Sequence, residues 1–213
     1  MNHLKQVFFT LLFILPILSF AQKDSTLKGG FVITANLAGL KNGDSVVLKN
    51  ANNKDVLARA AVQDGRFILK GKVDEPVLSE LEIGTVPLQN IYLENSMIVM
   101  SGDAADFTKV QITGSKSQDD FMDFQLIFNP LVGKLNTTVN TLNQLMQGAT
   151  SDALAVANQN YQAAKEKVEN SIDQFVFDKP GSYVTPWVML VTIKVDDNPI
   201  VMRDRYEKLL PGI

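Results

Sequence analysis

Three glutamates, Glu80, Glu82 and Glu94, are the side chains whose type and placement come nearest to chemistry. They fall on or near neighbouring β-rich runs, and two carboxylates flanking a glycosidic bond can divide the work of acid and base. Glu80 and Glu82 are two residues apart, so a strand carries them on one face, with Leu81 and Ile83 on the other. A solvated strand face has the same alternation, and alternation alone defines no pocket. Asp103, Asp106, Asp119 and Asp120 offer oxygen ligands to a hard cation, but their spacing lacks the glycine and closing glutamate of an EF-hand loop. Ser115 and Ser182 are hydroxyl nucleophiles with no histidine to act as base, and helix capping suits both. Gly29 and Gly30 do not join a strand to a helix start, so they form no phosphate cradle.

The 213-residue chain holds a single histidine, His3, and no cysteine. Beyond the first residues it therefore has neither imidazole nor thiol. That excludes the usual base of serine and cysteine hydrolases, sulfur redox chemistry, and zinc sites built on His or Cys. The chain is expected not to be an enzyme, and no catalytic, cofactor-binding or metal-binding residue is assigned. Formal charge is −3 and there is no basic run, so nucleic acid is not an expected partner.

The N-terminus has the pattern of a secretory signal. Lys5 supplies the positive start, Val7 to Leu18 is almost wholly apolar, and Ser19-Phe20-Ala21 places small residues where a signal peptidase cuts. Residues 1–21 are expected to be removed, leaving a periplasmic product with no stable membrane insertion. No later segment is long and apolar enough to span a bilayer.

Residues 22–114 are predicted to form a β-rich domain. About eight short runs follow one another, from Phe31 to Asn36 through Ser45–Leu48, Val56–Val62, Arg66–Val73, Val77–Ile83, Leu88–Leu93 and Met97–Met100 to Val110–Thr113. This close spacing predicts an antiparallel sandwich or barrel. Asn42-Gly43 and Asp64-Gly65 are dipeptides favoured where both central turn residues need positive φ, and the second predicts a hairpin that places Phe67 and Leu69 on one face. At Ser115 the period changes. Phe121, Phe124, Phe128, Leu131, Leu135, Thr138, Leu142 and Leu145 alternate spacings of three and four, the stripe of a long helix. Ser117 is its predicted N-cap, and Pro130 is expected to kink or interrupt it. A second stripe through Leu154, Tyr161, Val168, Ile172 and Phe175 predicts an antiparallel helical hairpin. The facing stripes are expected to satisfy each other, although a kink at Pro130 would splay Leu126, Ile127 and Val132 outward. Two shorter helices are predicted over Tyr183–Lys194, with Trp187 buried, and Pro199–Leu210. The whole reads as an α+β fold with residues 115–213 as a helical linker region.

The runs Phe31-Val32-Ile33, Leu37-Ala38-Gly39-Leu40 and Val62-Gln63-Asp64-Gly65-Arg66-Phe67, with Gly71-Lys72-Val73, Leu93-Glu94-Asn95 and Thr113-Gly114-Ser115, carry a resemblance. They resemble the N-terminal domain of unknown function of exported bacterial proteins that continue through a helical linker into a thioredoxin-like domain of the TlpA kind. The Cys-x-x-Cys of that redox domain has no counterpart here, and Leu210-Pro211-Gly212-Ile213 ends where such a domain normally lies ahead. The family's Asn-Pro-x-Ser helix start is replaced by Lys179-Pro180-Gly181-Ser182. The resemblance implies a non-catalytic accessory region that positions or dimerises a periplasmic thiol-disulfide oxidoreductase, its partner a second copy or a thioredoxin-like domain. The alternative is a stand-alone envelope module that binds a peptide, glycan or lipid.

Overall fold

The computed structural model describes residues 29–195 and 198–213. The expected signal at 1–21 lies outside the described residues. Eight strands form two four-stranded sheets: β1 (Phe31–Ala38), β4 (Arg66–Gly71), β7 (Met97–Asp103) and β8 (Gln111–Thr113) in one, in the order β4-β1-β7-β8. The other holds β2 (Ser45–Asn50), β3 (Val56–Ala61), β5 (Val77–Ile83) and β6 (Val86–Leu93), in the order β3-β2-β5-β6. Alternation decides which side chains face inward. Phe31, Ile33, Ala35 and Leu37 of β1 meet Val46, Leu48, Leu81 and Ile83 of the opposite sheet in one shared core. Among the described residues the architecture is therefore α+β, a two-sheet sandwich followed by four helices.

One strand pair departs from the antiparallel expectation. β7 runs parallel to β1, with Val32 opposite Met97. The chain crosses from β6 to the other sheet through Glu94–Ser96, and Ser96 already accepts a hydrogen bond from Val32 N–H at 3.0 Å, so β7 enters beside the start of β1 rather than its end.

The two turn dipeptides also do something other than close separate hairpins. Asp64 and Gly65 both have positive φ, and Gln63 and Arg66 exchange backbone hydrogen bonds of 2.9 Å, the geometry of a two-residue primed turn. Yet β3 leaves this turn in one sheet and β4 in the other, because a sandwich must pass its chain across at the corners. Asn42 has no positive φ; only Gly43 does, and Asp44 N–H bonds Lys41 C=O across the turn. The Asn42 side chain accepts from Asp64 N–H at 2.6 Å, so the two turns dock on each other as a single corner. Phe67 and Leu69 are both buried, as alternation requires.

Helix α1 spans Lys116–Leu145 and α2 spans Ser151–Asp178, an antiparallel pair. α1 continues through Pro130, which is exposed; the ring removes one N–H from the ladder without ending a helix braced by its neighbour. The N-cap is Ser115, whose hydroxyl accepts from Gln118 N–H, and not Ser117. Gly114, just before it, has φ +90°, and a Cβ there would stand 2.0 Å from Met97 C=O, so only glycine brings the chain this close to β7 as it turns into the helix. α3 (Val184–Val191) and α4 (Pro199–Tyr206) are shorter than predicted. Thr192 ends α3, its buried hydroxyl turned back onto Val188 C=O at 2.6 Å. Trp187 is half-buried rather than buried.

Candidate interaction site on helix α1

The start of α1 is fastened to the outer side of the β6 sheet by side chains that look chemical in the sequence. Glu94, 6% exposed, accepts hydrogen bonds from Lys116 N–H (2.6 Å), Ser117 N–H (3.4 Å) and the Ser117 hydroxyl (2.7 Å). A carboxylate here satisfies donors that the first helical turn leaves open and meets the positive end of the helix dipole. Asn95, next in the chain, both accepts from Val73 N–H and donates to Val73 C=O, replacing a strand partner with an amide. The edge of β6 is closed in the same way. Tyr92 N–H donates to the side-chain amide oxygen of Gln118 at 2.6 Å, which leaves this part of the edge unavailable to another strand.

Above that edge lies an aromatic cluster. Phe121 packs against Tyr92 (ring centroids 5.8 Å apart) and edge-on against Trp187 (5.2 Å). The Tyr92 hydroxyl donates to Tyr183 C=O at 2.8 Å, and burial, followed by the charge of Glu75, pushes its pKa up to about 12. Asp120, 2% exposed, is gripped by Lys116 and Lys179, each at 2.7 Å, and Lys179 also reaches Asp123 at 3.2 Å. Burial raises the Asp120 pKa, but hydrogen bonds from Lys116, Lys179 and Ser182 outweigh it and hold the group below its ordinary value. The Asp120 hydrogen bond likewise holds Lys179 above its own. The lowered carboxylate favours folding above its ordinary 3.8 and loses that contribution as pH falls through its depressed pKa. The raised ammonium favours folding below its ordinary 10.5 and loses it as pH climbs through the elevated pKa. Lys179→Met is expected to cost about 1–2 kcal/mol at neutral pH, a hydrogen bond to a charged group reduced by solvent screening of an ammonium that is 31% exposed. It should also remove the alkaline fall in urea midpoint near the lysine range. An alkaline limb unchanged in this variant shows that the pair is not the cause.

Immediately beyond this braced start, α1 turns apolar side chains to solvent. Met122 is 40% exposed, Leu126 78% and Ile127 59%. Two concavities flank the ridge. One, about 310 Å³, lies between α1 and the base of α2 and is lined by Phe124, Ile127, Phe128, Gln174, Phe175 and Lys179. The other, about 600 Å³, is the crevice between α1, the β6 edge and the approach to β8, where Gln89, Asn90, Gln118 and Gln125 interleave with Phe107 and Met122. Leu126 and Asp123 border both. Large exposed apolar residues on a rigid base, with grooves on each side, form a surface suited to a partner.

The sequence candidates do not assemble a reaction centre. Glu80 pairs with Lys54 and Glu82 with Lys49, each at 2.7 Å, while Glu94 sits beyond Leu93, which registers with Val77 three residues along β5 from Glu80. Asp103 caps Ala105 N–H, and Asp106 binds Thr108 and Lys109. Ser182 accepts from Val184 N–H at the start of α3. Among the described residues no cluster of His, Cys, Asp or Glu could hold a metal ion, and no helix is long and apolar enough to cross a membrane. Sequence reasoning missed Gln118, and weighed Asp120 as an oxygen ligand for a cation rather than as the partner of Lys116 and Lys179. Gln118 lies three residues before Phe121 and in phase with the apolar stripe, a signal that its amide would be buried and need a backbone partner.

The fold and this joint define a β-sandwich coupled to a helical hairpin through the first turns of α1. A domain of the family described as Domain of unknown function (DUF4369) is found at residues 31–121. The match passes the last strand and includes α1 as far as Phe121, so it takes in the residues fastened by Glu94 and Gln118. No curated protein matches the chain, and no solved structure does.

Proposed function

We propose that this chain is a non-catalytic interaction region of the bacterial periplasm that holds a thioredoxin-like thiol-disulfide oxidoreductase domain in place. The observation that carries the reading is the Met122–Leu126–Ile127 ridge. It is the kind of apolar surface a chain displays for a partner, and it stands on a helix start held by Glu94, Gln118 and the Asp120 ion pairs. Rigid placement suits a positioning role, since a pre-ordered surface loses less entropy on binding. The resemblance of the turn and strand motifs to the leading domain of such oxidoreductases supplies the identity of the partner.

Leu126→Asp with Ile127→Asp is expected to weaken binding of a TlpA-type thioredoxin-like domain at least about tenfold in titration calorimetry, the scale of losing an apolar anchor. Because both side chains already face solvent, the melting midpoint should stay within about 3 °C, as for ordinary surface changes. The chain alone should not speed insulin reduction in dithiothreitol. Unchanged binding by the double variant, or a clear rate increase with the chain alone, removes the proposal. The second reading, an envelope module that takes a peptide or glycan, is favoured by one feature, the amide-lined crevice at Gln89, Asn90 and Gln125. A reading frame that continues past Ile213 into Trp-Cys-x-x-Cys supports the first reading against the second.

A further inference from the structure

The distal hairpin is too apolar on one side for a pair of helices and too poor in charge for a solvated one. Between Phe124 and Ala164 the sequence has two charged residues, Lys134 and Asp152, although charged residues make up 20% of the chain. Their charges cancel. Leu131, Leu135, Leu142 and Leu145 keep a seven-residue repeat against α2, where Ala157, Ala164 and Val168 are buried in matching steps. All four leucines nonetheless remain only half-buried, because one neighbouring helix covers one side of a seam.

A second stripe runs beside that seam. Val132, Val139 and Met146 recur every seven residues, each one position after a seam residue, widening the apolar arc from the two positions per heptad of a two-stranded coil to the three of a helix in a bundle. Val132 and Val139 are half-buried and Met146 is 69% exposed. Nearer the sandwich, the corresponding position on α2 is Ile172, fully buried within the cluster that holds Val184 and Val188 of α3. The hairpin thus has a roof at its base and none at its tip. The hydroxyls of Thr137, Thr138 and Thr141 are turned back onto the carbonyls of Gly133, Leu135 and Thr137, which further lowers the polarity of α1 here.

We infer that the missing roof is the same stripe of a second copy, and that two chains pair through their hairpins as a four-helix bundle about a two-fold axis near Val139. A two-fold interface sets a patch against itself, so a patch with net charge repels its own copy; here Lys134 and Asp152 cancel, and Lys165, nearer the base, is neutralised by Glu169 at 2.6 Å. The area is also sufficient. From Phe128 to Leu145 the helix rises about 27 Å, and two helices side by side are about 20 Å wide, giving roughly 1,000 Å² between two copies, the lower bound of a specific interface. This pairing uses a different part of α1 from the Leu126 ridge and does not rest on the redox assignment.

Sedimentation equilibrium of the full chain should give twice the single-chain mass at about 10 µM, within the range of ordinary homodimers. Val139→Glu places two like charges at the axis and should raise the dissociation constant at least about 100-fold. The absence of native cysteine permits a direct readout of the face. Val139→Cys should form a disulfide-linked dimer under mild oxidation, and Thr137→Cys, exposed on the opposite side of the same turn, should not. Both cysteine variants leave the hairpin seam intact, so they remain informative if Val139→Glu fails to fold. A single-chain mass up to about 100 µM overturns the inference. So does a dimer that cross-links through residue 137 but not through 139.

Discussion

Glu94→Ala is expected to lower the unfolding free energy by about 3 kcal/mol, because one truncation strands three buried or half-buried donors that had a charged acceptor. Those donors are the N–H groups of Lys116 and Ser117 and the Ser117 hydroxyl. Water cannot easily replace the carboxylate, since Ser117 is itself buried and Gln118, next along, is committed to Tyr92 N–H. Glu94→Gln keeps an oxygen of the same reach but loses the charge and one acceptor, so its cost should be about half, near 1.5 kcal/mol. Trp187 is the only tryptophan and touches Phe121, so its fluorescence in urea reports this joint directly. An alanine variant within about 0.5 kcal/mol of the native chain, the range of an uninvolved surface change, would refute the structural role given to Glu94.

The same residue illustrates where the sequence is legible and where it is not. Strand positions follow from period-two alternation, which local residues impose by themselves, and all eight runs appear close to where the pattern places them. The long hairpin is equally legible, because the three-and-four spacing of Phe121 to Leu145 is a property of one helix. What alternation does not carry is the sheet to which a strand belongs. The primed turn at Asp64-Gly65 is local and correctly read, but its two arms part into different sheets, and the corner they form is held by contacts such as that of Asn42, twenty-two residues away. Glu94 likewise sits outside any strand pattern, and its partners are also twenty-two and twenty-three residues on. A carboxylate near two others on paper is therefore a capping group in space. The exposed ridge was half legible: Leu126 falls off the stripe that runs through Phe124 and Phe128, which places it away from α2 without showing that nothing else covers it, while Ile127 borders the groove toward α2.

Phe121→Ala carries the larger effect, about 4 kcal/mol, because a ring only 1% exposed is removed from between two elements that cannot both close the gap. Tyr92 belongs to β6 and is held by the hydrogen bond of its hydroxyl to Tyr183 C=O, so it cannot swing inward without breaking that bond. Trp187 is fixed on α3, whose Val184 and Val188 are fully buried against the hairpin. The cavity should therefore persist rather than collapse, and the tryptophan emission should shift to the red as water gains access. The sandwich has a core of its own, centred on Phe31, Ile33, Leu48 and Leu81, that shares no residue with this cluster. Weakening the joint should accordingly separate two events that are coupled in the native chain. The fluorescence transition should move to lower urea by the full amount, while the β-sheet signal in circular dichroism moves less. Superimposable transitions in the variant would mean that the sandwich has no stability apart from its helices. A loss below about 1 kcal/mol would mean that the aromatic cluster does not hold the two layers together.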